Sequence, residues 1–215
     1  MKKIVLIGDS IRMGYVDYVR DALKGVAEVY SPTENCRYSV NVLRYAHEWK
    51  QKGEWPDDVD LVHWNAGLWD ALELFDDEPL MPLDAYERII PRIDRRLRML
   101  FPQAKLVFAT STAVLEDKCK PYFKRHNETI RAYNAAALRA LAPTDTQIND
   151  LYTPSSRCPE SYHSDAVHFY TPEGTDLIGG QVLNTVCRLL EIAPIGHSEK
   201  QVDLEQFAHN DDVGY

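Results

Sequence analysis

The chain has 215 residues, of which 45% are hydrophobic and 27% are charged. This composition is typical of one globular domain and excludes a disordered protein. The 24 Lys and Arg residues against 33 Asp and Glu residues give a net charge of −9, which makes nucleic acid and anionic membranes poor partners. The sequence also lacks the ~18 consecutive apolar residues that a membrane-spanning helix needs.

Four cysteines lie far apart in the sequence and form no C-x-x-C pair: Cys36, Cys119, Cys158 and Cys187. This pattern is typical of a reduced protein rather than of a disulfide framework. The apolar run Ile4–Ile7 that follows the first two lysines is too short for a signal peptide. We therefore expect a cytoplasmic protein.

The first half of the chain alternates between apolar runs and helical patterns. Ile4–Ile7 is a continuous apolar run closed by a glycine, which is typical of a strand buried on both faces. Further strands are predicted at Val26–Tyr30 and Leu61–Trp64. Apolar residues at helical spacing predict helices over Ile11–Leu23 and Ser39–Trp49.

The second half continues the alternation. Helices are predicted over Leu83–Leu100, Glu128–Leu141 and Glu173–Leu190, and strands at Lys105–Ala109 and, more weakly, Gln147–Leu151. Pro91 lies inside the first of these helices, where it is expected either to kink the helix or to mark its true beginning. No element is predicted for the polar stretch between residues 116 and 127.

This order of elements predicts the fold class. Five strands that alternate with helices predict a three-layer α/β/α sandwich of the flavodoxin-like kind, with a five-stranded parallel sheet and right-handed crossovers. We expect one domain over residues 1–194, followed by a polar tail over residues 195–215. The tail is expected to be a surface arm with one short amphipathic segment, Val202–Phe207, and a role in forming a homo-oligomer is the alternative.

The first candidate site is the tripeptide Gly8-Asp9-Ser10, which follows the first predicted strand. Ligands of parallel α/β sheets bind at the carboxyl ends of the strands, so a serine hydroxyl here would face a binding cleft. The N–H groups at the start of the next helix would lie close to it. The alternative is that Asp9 or Ser10 only caps this helix, which is the usual role of such residues.

The second candidate site is Asp165-Ala166-Val167-His168, just before the last predicted helix. An aspartate three residues before a histidine can accept one imidazole N–H and leave the other ring nitrogen facing a substrate. The alternative is an ordinary polar loop that caps a helix.

A metal site is a further alternative, because His163, Asp165 and His168 have the side chains of metal ligands. Their spacing fits no known zinc pattern, and no remote Cys or His partner is evident. We therefore expect neither a metal nor any other cofactor.

Together, the two motifs and the order of elements over residues 4–191 resemble the SGNH (GDSL) hydrolase family. The resemblance implies a serine hydrolase in which Ser10 is the nucleophile, His168 the base and Asp165 the residue that orients the base. Asp9 matches an aspartate of the family that is not catalytic and braces the loop.

The second family motif, which normally has a glycine whose N–H helps to bind the oxyanion, is different here. This chain instead reads Glu34-Asn35-Cys36-Arg37-Tyr38-Ser39. Any residue other than proline has a backbone N–H, so Arg37 or Tyr38 can replace the glycine. The sequence does not decide between them.

The third motif, Gly-x-Asn-Asp in the family, also differs and reads Trp64-Asn65-Ala66-Gly67-Leu68-Trp69-Asp70. Alignment on the glycine places Trp69 where the oxyanion-binding asparagine belongs, whereas alignment on the end of the strand places Asn65 there. We favour Asn65, since a carboxamide is the better oxyanion donor. An asparagine that only closes a turn is the alternative.

The resemblance implies a serine esterase that works through an acyl-enzyme. Aromatic residues beside the motifs, Trp64, Trp69 and Tyr162, are expected to line the cleft mouth, where rings stack on sugars, although aromatic residues at strand ends are more often core. We expect a small-molecule or oligosaccharide substrate carrying short acyl groups, such as acetyl. The alternatives are a lysophospholipase or thioesterase, and a catalytically silent binding domain.

Overall fold

The computed structural model describes residues 1–195, so the predicted tail beyond Ile195, including Val202–Phe207, lies outside the described residues. The strands are β1 (Lys2–Ile7), β2 (Ala27–Tyr30), β3 (Leu61–Trp64), β4 (Glu73–Leu74), β5 (Lys105–Ala109), β6 (Phe123–Lys124) and β7 (Gln147–Asn149). Five of them form a parallel sheet in the order β2-β1-β3-β5-β7. The other two, β4 and β6, form a separate antiparallel pair.

The helices form two groups. Their bounds are α1 (Ser10–Ala22), α2 (Ser39–Lys52), α3 (Leu83–Leu100), α4 (Asn127–Leu141), α5 (Tyr152–Ser155) and α6 (Pro172–Leu190). Helix α1 packs against α6, whereas α3 packs against both α2 and α4. The predicted α/β fold, a five-stranded parallel sheet flanked by helices, is confirmed.

Helix α3 begins at Leu83, as predicted, so Pro91 lies inside the helix and does not mark its beginning. Two other details differ from the sequence prediction. The last strand of the sheet ends at Asn149 rather than at Leu151. The β4–β6 pair was not predicted, because strands of two residues are too short to show an alternating pattern.

The middle of the sheet determines which loops meet. Strand β1 pairs with β2 on one side and with β3 on the other, in a register that places Ile7 opposite Trp64. The residues that follow these two, Gly8 and Asn65, are therefore neighbours at the carboxyl edge of the sheet. A hydrogen bond from the Asn65 N–H to the Ile7 carbonyl, 3.0 Å long, extends the pairing to this edge.

Glycines allow α1 and α6 to approach closely. A Cβ atom on Gly14 of α1 would lie 2.5 Å from the ring of Tyr170, and one on Gly179 of α6 would lie 2.7 Å from the ring of Tyr18. The Tyr18 hydroxyl also donates to Asp176 of α6, at 2.9 Å. Real Cβ contacts are not this short, so only glycine allows each aromatic ring to pack against the facing helix.

A histidine of the central strands is buried without charge. His63 of β3 is fully buried, with the Asn149 amide nitrogen 3.1 Å from its Nε2 and the Tyr15 hydroxyl 3.5 Å from its Nδ1. Burial lowers the pKa of His63 to about 3, because the protonated ring would lose its hydration without gaining an anionic partner. The folded protein therefore holds His63 neutral at pH values where an unfolded chain would protonate it.

This difference predicts that acid destabilises the protein through His63. Because the pKa of His63 is lower in the folded than in the unfolded state, neutral His63 contributes fully to the free energy of unfolding above pH 6.5. This contribution is lost as the pH falls from 6.5 towards 3. Between pH 7 and pH 5 the loss should be about 2 kcal/mol. His63→Gln should flatten the dependence of unfolding free energy on pH, measured by urea denaturation.

His47→Gln is the matched control, because it removes a largely exposed histidine from α2. It should leave the pH dependence as it is in the wild type. A pH dependence that is the same in the wild type and in His63→Gln would contradict the prediction.

Candidate active site

Ser10 is the first residue of α1 and lies at the carboxyl end of β1. The Asp9 carboxylate caps this helix by accepting a hydrogen bond from the Ile11 N–H, at 3.0 Å. Asp9 therefore caps the helix, which was the alternative role considered for it. Because Asp9 is the cap, the Ser10 hydroxyl can bind other partners. Ser10 also lies at the amino terminus of α1, where the helix dipole stabilises negative charge.

The structure brings Ser10, His168 and Asp165 into one line of hydrogen bonds. His168 Nε2 lies 2.8 Å from Ser10 Oγ, and His168 Nδ1 lies 2.7 Å from Asp165 Oδ2. The imidazole is fully buried, whereas the Asp165 side chain is 43% exposed. Both contacts are hydrogen bonds of good length, and the serine and aspartate lie at opposite nitrogens of the ring.

The Asp165 carboxylate is held in its charged form. Its Oδ1 atom accepts hydrogen bonds from the N–H groups of Val167, at 2.7 Å, and of His168, at 2.9 Å. Burial would raise the pKa of Asp165, but the imidazole and these two N–H groups outweigh it and lower the pKa to about 2. Asp165 is therefore ionised at every pH at which the protein is expected to work.

Tyr170 contacts both Ser10 and His168. Its hydroxyl donates to the Ser10 carbonyl, at 2.8 Å. Its ring lies almost parallel to the His168 imidazole, with the ring centroids 4.7 Å apart. One side chain thus fixes both the serine backbone and the plane of the imidazole. The sequence analysis did not identify Tyr170, because a tyrosine two residues after a histidine carries no distinctive pattern.

Asn65 lies against the Gly8-Asp9-Ser10 turn. A Cβ atom on Gly8 would lie 1.9 Å from Asn65 Oδ1, so only glycine at position 8 allows the carboxamide to occupy this place. Burial raises the pKa of Asp9, while the Asn65 amide, the Ile11 N–H and the charge of Arg125 oppose that rise. Asn65 is thus adjacent to the Gly8-Asp9-Ser10 turn, as alignment on the end of β3 predicts.

The two backbone N–H groups predicted for the oxyanion differ in their availability. The Arg37 N–H already donates to the Asn35 side chain, at 2.9 Å, and Arg37 has a left-handed backbone with φ of 50°. This geometry argues against Arg37 as the oxyanion donor. Tyr38 comes directly before α2, and it remains the prediction for this role.

Asp70 anchors the beginning of α2 to the loop after β3. Its carboxylate accepts from the Ser39 N–H, at 3.0 and 3.2 Å, and from the Ser39 hydroxyl. Burial raises the pKa of Asp70 to about 6, although the hydrogen bonds from Ser39 oppose the rise. The loop that carries Tyr38 is therefore held by an aspartate 31 residues further along the chain.

The predicted aromatic residues occupy three different environments. Trp64 is fully buried, with its ring 4.8 Å from that of Phe108. It is a core residue, and the expectation that it lines the cleft mouth is wrong. Trp69 is 7% exposed and packs edge-on against Tyr38. Tyr162 ends a short 3-10 turn and is partly exposed.

The three residues considered as metal ligands do not converge. Asp165 and His168 bind each other, whereas the His163 ring packs on Phe169 with its Nε2 atom 3.9 Å from Cys158 Sγ. Over residues 1–195, no group of three or more His, Cys, Asp or Glu side chains is arranged to hold a metal ion.

Arg12 is a structural residue of the site that the sequence analysis missed. It is 2% exposed, and its guanidinium donates to the Gly8 carbonyl, the Ser31 hydroxyl and the carbonyls of Pro32 and Glu34. One side chain on α1 thus connects the segment before Tyr38 to the Gly8-Asp9-Ser10 turn. Arginine suits this role because its planar guanidinium presents five donors.

Solved structures share this architecture. A lipase/acylhydrolase from Enterococcus faecalis superposes with a TM-score of 0.67 and 18% sequence identity, over 91% of this chain and 100% of that one. A GDSL-like lipase from Bacteroides thetaiotaomicron gives a TM-score of 0.65 and 18% identity, over 87% of this chain and 88% of that one. This is the SGNH hydrolase fold.

The SGNH fold is shared with a carbohydrate esterase of family 3 from Talaromyces cellulolyticus, which superposes with a TM-score of 0.66 and 15% identity over 89% of this chain and 99% of that one. At such identities the likeness establishes the SGNH fold and nothing finer. No protein-family model and no curated protein matches the sequence. None of the helices in the described part of the chain is long and apolar enough to cross a membrane.

The contacts of Arg12 predict that its replacement disrupts the candidate site. Arg12→Met keeps the length of the side chain but leaves several buried acceptors without a donor. It should lower the free energy of unfolding by about 3 kcal/mol. It should also release the segment that holds Cys36, whose thiol is fully buried. Denaturation curves and thiol labelling mapped by mass spectrometry measure the two effects.

Arg20→Met is the control on the same helix, because Arg20 forms an exposed ion pair with Asp17. Its effect on stability should stay within about 0.5 kcal/mol. If Cys36 remains as unreactive in Arg12→Met as in the wild type, Arg12 does not hold the segment.

Proposed function

We propose that this protein is a serine esterase that removes short acyl groups, above all acetyl groups, from carbohydrates through an acyl-enzyme. The observation that carries the proposal is the line of hydrogen bonds from Ser10 through His168 to Asp165. A nucleophile, a base and a group that orients the base within hydrogen-bond distance of one another are the requirements of this chemistry. The esterases and acylhydrolases that share the fold support the same class of reaction.

Each residue then has a defined step. Ser10 Oγ attacks the ester carbonyl, and its proton passes to His168 Nε2. The imidazolium returns this proton to the departing alcohol, which leaves the acyl group on Ser10. His168 next takes a proton from water, which attacks the acyl-enzyme, and the carboxylic acid departs as Ser10 regains its proton. Asp165 keeps the Nδ1–H tautomer in place and stabilises the imidazolium.

The tetrahedral intermediates require hydrogen-bond donors for their oxyanion. The position of Asn65 against the Gly8-Asp9-Ser10 turn supports its carboxamide as one donor. The Tyr38 N–H is the second donor that we propose. Asp70 and Arg12 hold the loop that carries Tyr38, so they act on this step through position alone.

The structural neighbours bear on the substrate class. The carbohydrate esterase among the structural neighbours favours sugar acetyl esters. The lipase/acylhydrolase favours the alternative, an esterase for lipid-derived acyl chains. A catalytically silent binding domain would have no need for a buried imidazole aligned between a serine and a carboxylate, so the geometry argues against that alternative.

The decisive test is the loss of the nucleophile. Ser10→Ala should leave the fold intact and lower the hydrolysis of p-nitrophenyl acetate by about 10³-fold or more. Ser156→Ala, which removes an exposed serine hydroxyl outside the site, should retain the activity of the wild type. Near wild-type hydrolysis by Ser10→Ala would refute the mechanism.

The oxyanion assignment makes a second prediction. Because the Asn65 hydrogen bond strengthens as charge develops on the carbonyl oxygen, Asn65→Ala should lower kcat about 10²–10³-fold with little change in KM. Trp69→Phe removes the competing indole N–H but keeps an aromatic ring, and it should cost much less. Both variants are compared on one short-chain ester, after circular dichroism shows that each is folded. A severe defect in Trp69→Phe with a mild one in Asn65→Ala would assign the role to Trp69.

A further inference from the structure

Two exposed aromatic side chains lie together on the β4–β6 arm, which we define as strands β4 and β6 with residues 75–78 and Tyr122. Phe75 is 78% exposed and Tyr122 is 48% exposed. Their ring centroids lie 5.9 Å apart and their planes are inclined by 26°. A hydrogen bond of 3.1 Å from the Phe75 N–H to the Tyr122 carbonyl fixes the two residues side by side.

The folding of the domain does not account for this exposure. Phe75 and Asp76 both have left-handed backbones, with φ of 56° and 61°, a conformation that is unfavourable for residues other than glycine. The strained turn places a large apolar ring in solvent, where it contributes little to the core. Strain of this kind persists when the surrounding structure enforces it, and it is concentrated at functional sites.

An ion pair and two histidine–carboxylate contacts brace the arm. Lys124 of β6 forms an ion pair with Asp76 in the turn after β4. His126, which follows β6, lies 3.4 Å from Glu73 of β4 and 3.1 Å from Glu116. A ligand that stacks on the aromatic pair therefore meets a surface that is already ordered, which reduces the entropic cost of binding.

The aromatic pair is adjacent in sequence to a residue that borders the candidate active site. Phe123 follows Tyr122 on β6, and its ring packs edge-on against Trp69, with the centroids 6.4 Å apart. Phe123 also lines a small cavity together with Asp165 and Val167. The residue that follows Tyr122 thus lies beside Asp165, one of the three hydrogen-bonded residues of the candidate site.

We propose that Phe75 and Tyr122 form a second binding surface, on which a sugar ring of an oligosaccharide stacks while another unit of the same chain presents its acetyl ester to Ser10. This inference rests on the proposed function. The C–H faces of a sugar ring pack on aromatic rings, and its hydroxyls can donate to the exposed carboxylates of Asp76, Asp77 and Glu78. The same carboxylates disfavour an anionic lipid surface. Two aromatic rings also present far less surface than a stable protein interface buries.

The test compares a long substrate with a short one. The measured quantity is the ratio of kcat/KM on acetylated xylohexaose to kcat/KM on p-nitrophenyl acetate. Phe75→Ala and Tyr122→Ala should each lower this ratio by about tenfold, which corresponds to a lost contact of about 1.4 kcal/mol. The change should appear in KM for the long substrate. Phe75→Trp keeps an aromatic face and should preserve the ratio. Met99→Ala is the matched control, because Met99 is 73% exposed on α3, and it should also leave the ratio unchanged.

A binding measurement separates this inference from the proposed function. Unmodified xylohexaose is titrated by calorimetry into Ser10→Ala and into the double variant Ser10→Ala, Phe75→Ala. Weaker binding by the double variant supports the proposed binding surface. If the wild type binds in this way but hydrolyses no acetylated sugar, the proposed function is refuted and the binding surface is not. Equal binding by the two proteins, or a ratio that Phe75→Ala does not change, overturns the inference. It is also overturned if light scattering shows that Phe75→Ala dissociates a dimer, since the pair then serves a second copy of the chain.

Discussion

The close packing of α1 against α6 is the constraint on which the candidate site depends. Ser10 begins α1, and His168 lies in the loop that leads into α6, so the two side chains meet only if these helices touch. Gly179 of α6 leaves room for the Tyr18 ring of α1, and Gly14 of α1 leaves room for the ring of Tyr170, two residues before α6. Tyr170 then fixes the Ser10 backbone with its hydroxyl and the His168 ring by stacking. The short distance between Ser10 and His168 is thus a result of helix packing.

The loop before α2 shows how buried polar groups can replace a sequence motif. The chain lacks the glycine that the resemblance leads one to expect, and the segment is held instead by side chains from other elements. Arg12 binds its beginning from α1, and Asp70 binds its end from the loop after β3. Both residues are buried, and each satisfies several hydrogen-bonding groups at once, which compensates for the cost of removing a charge from water. Such a loop depends on hydrogen bonds from buried side chains, whereas a glycine turn depends on backbone freedom.

Much of this arrangement was predictable because its signals are local in sequence. Ile4–Ile7 followed by Gly8-Asp9-Ser10 predicted a buried strand and a serine at its carboxyl end, and the spacing of Asp165 and His168 predicted their hydrogen bond. Arg12, Tyr170 and Asp70 escaped prediction because each acts on residues far away in the sequence, and none stands in a pattern that shows its partner. Trp64 was misplaced for a different reason: an aromatic residue at a strand end has the same local pattern whether it faces the core or a cleft.

The separation of Ser10 and His168 by 158 positions has a consequence for how the protein matures. A contact of such long range forms only after most of the intervening chain has been ordered, because closing a long loop early costs entropy that few interactions repay. Any compact intermediate in which α6 has not yet docked therefore contains Ser10 without its partner His168. The proposed esterase activity would then recover with the slowest tertiary step after dilution from denaturant, whereas far-ultraviolet ellipticity would recover with the earlier steps. Recovery of that activity would therefore report the completion of folding.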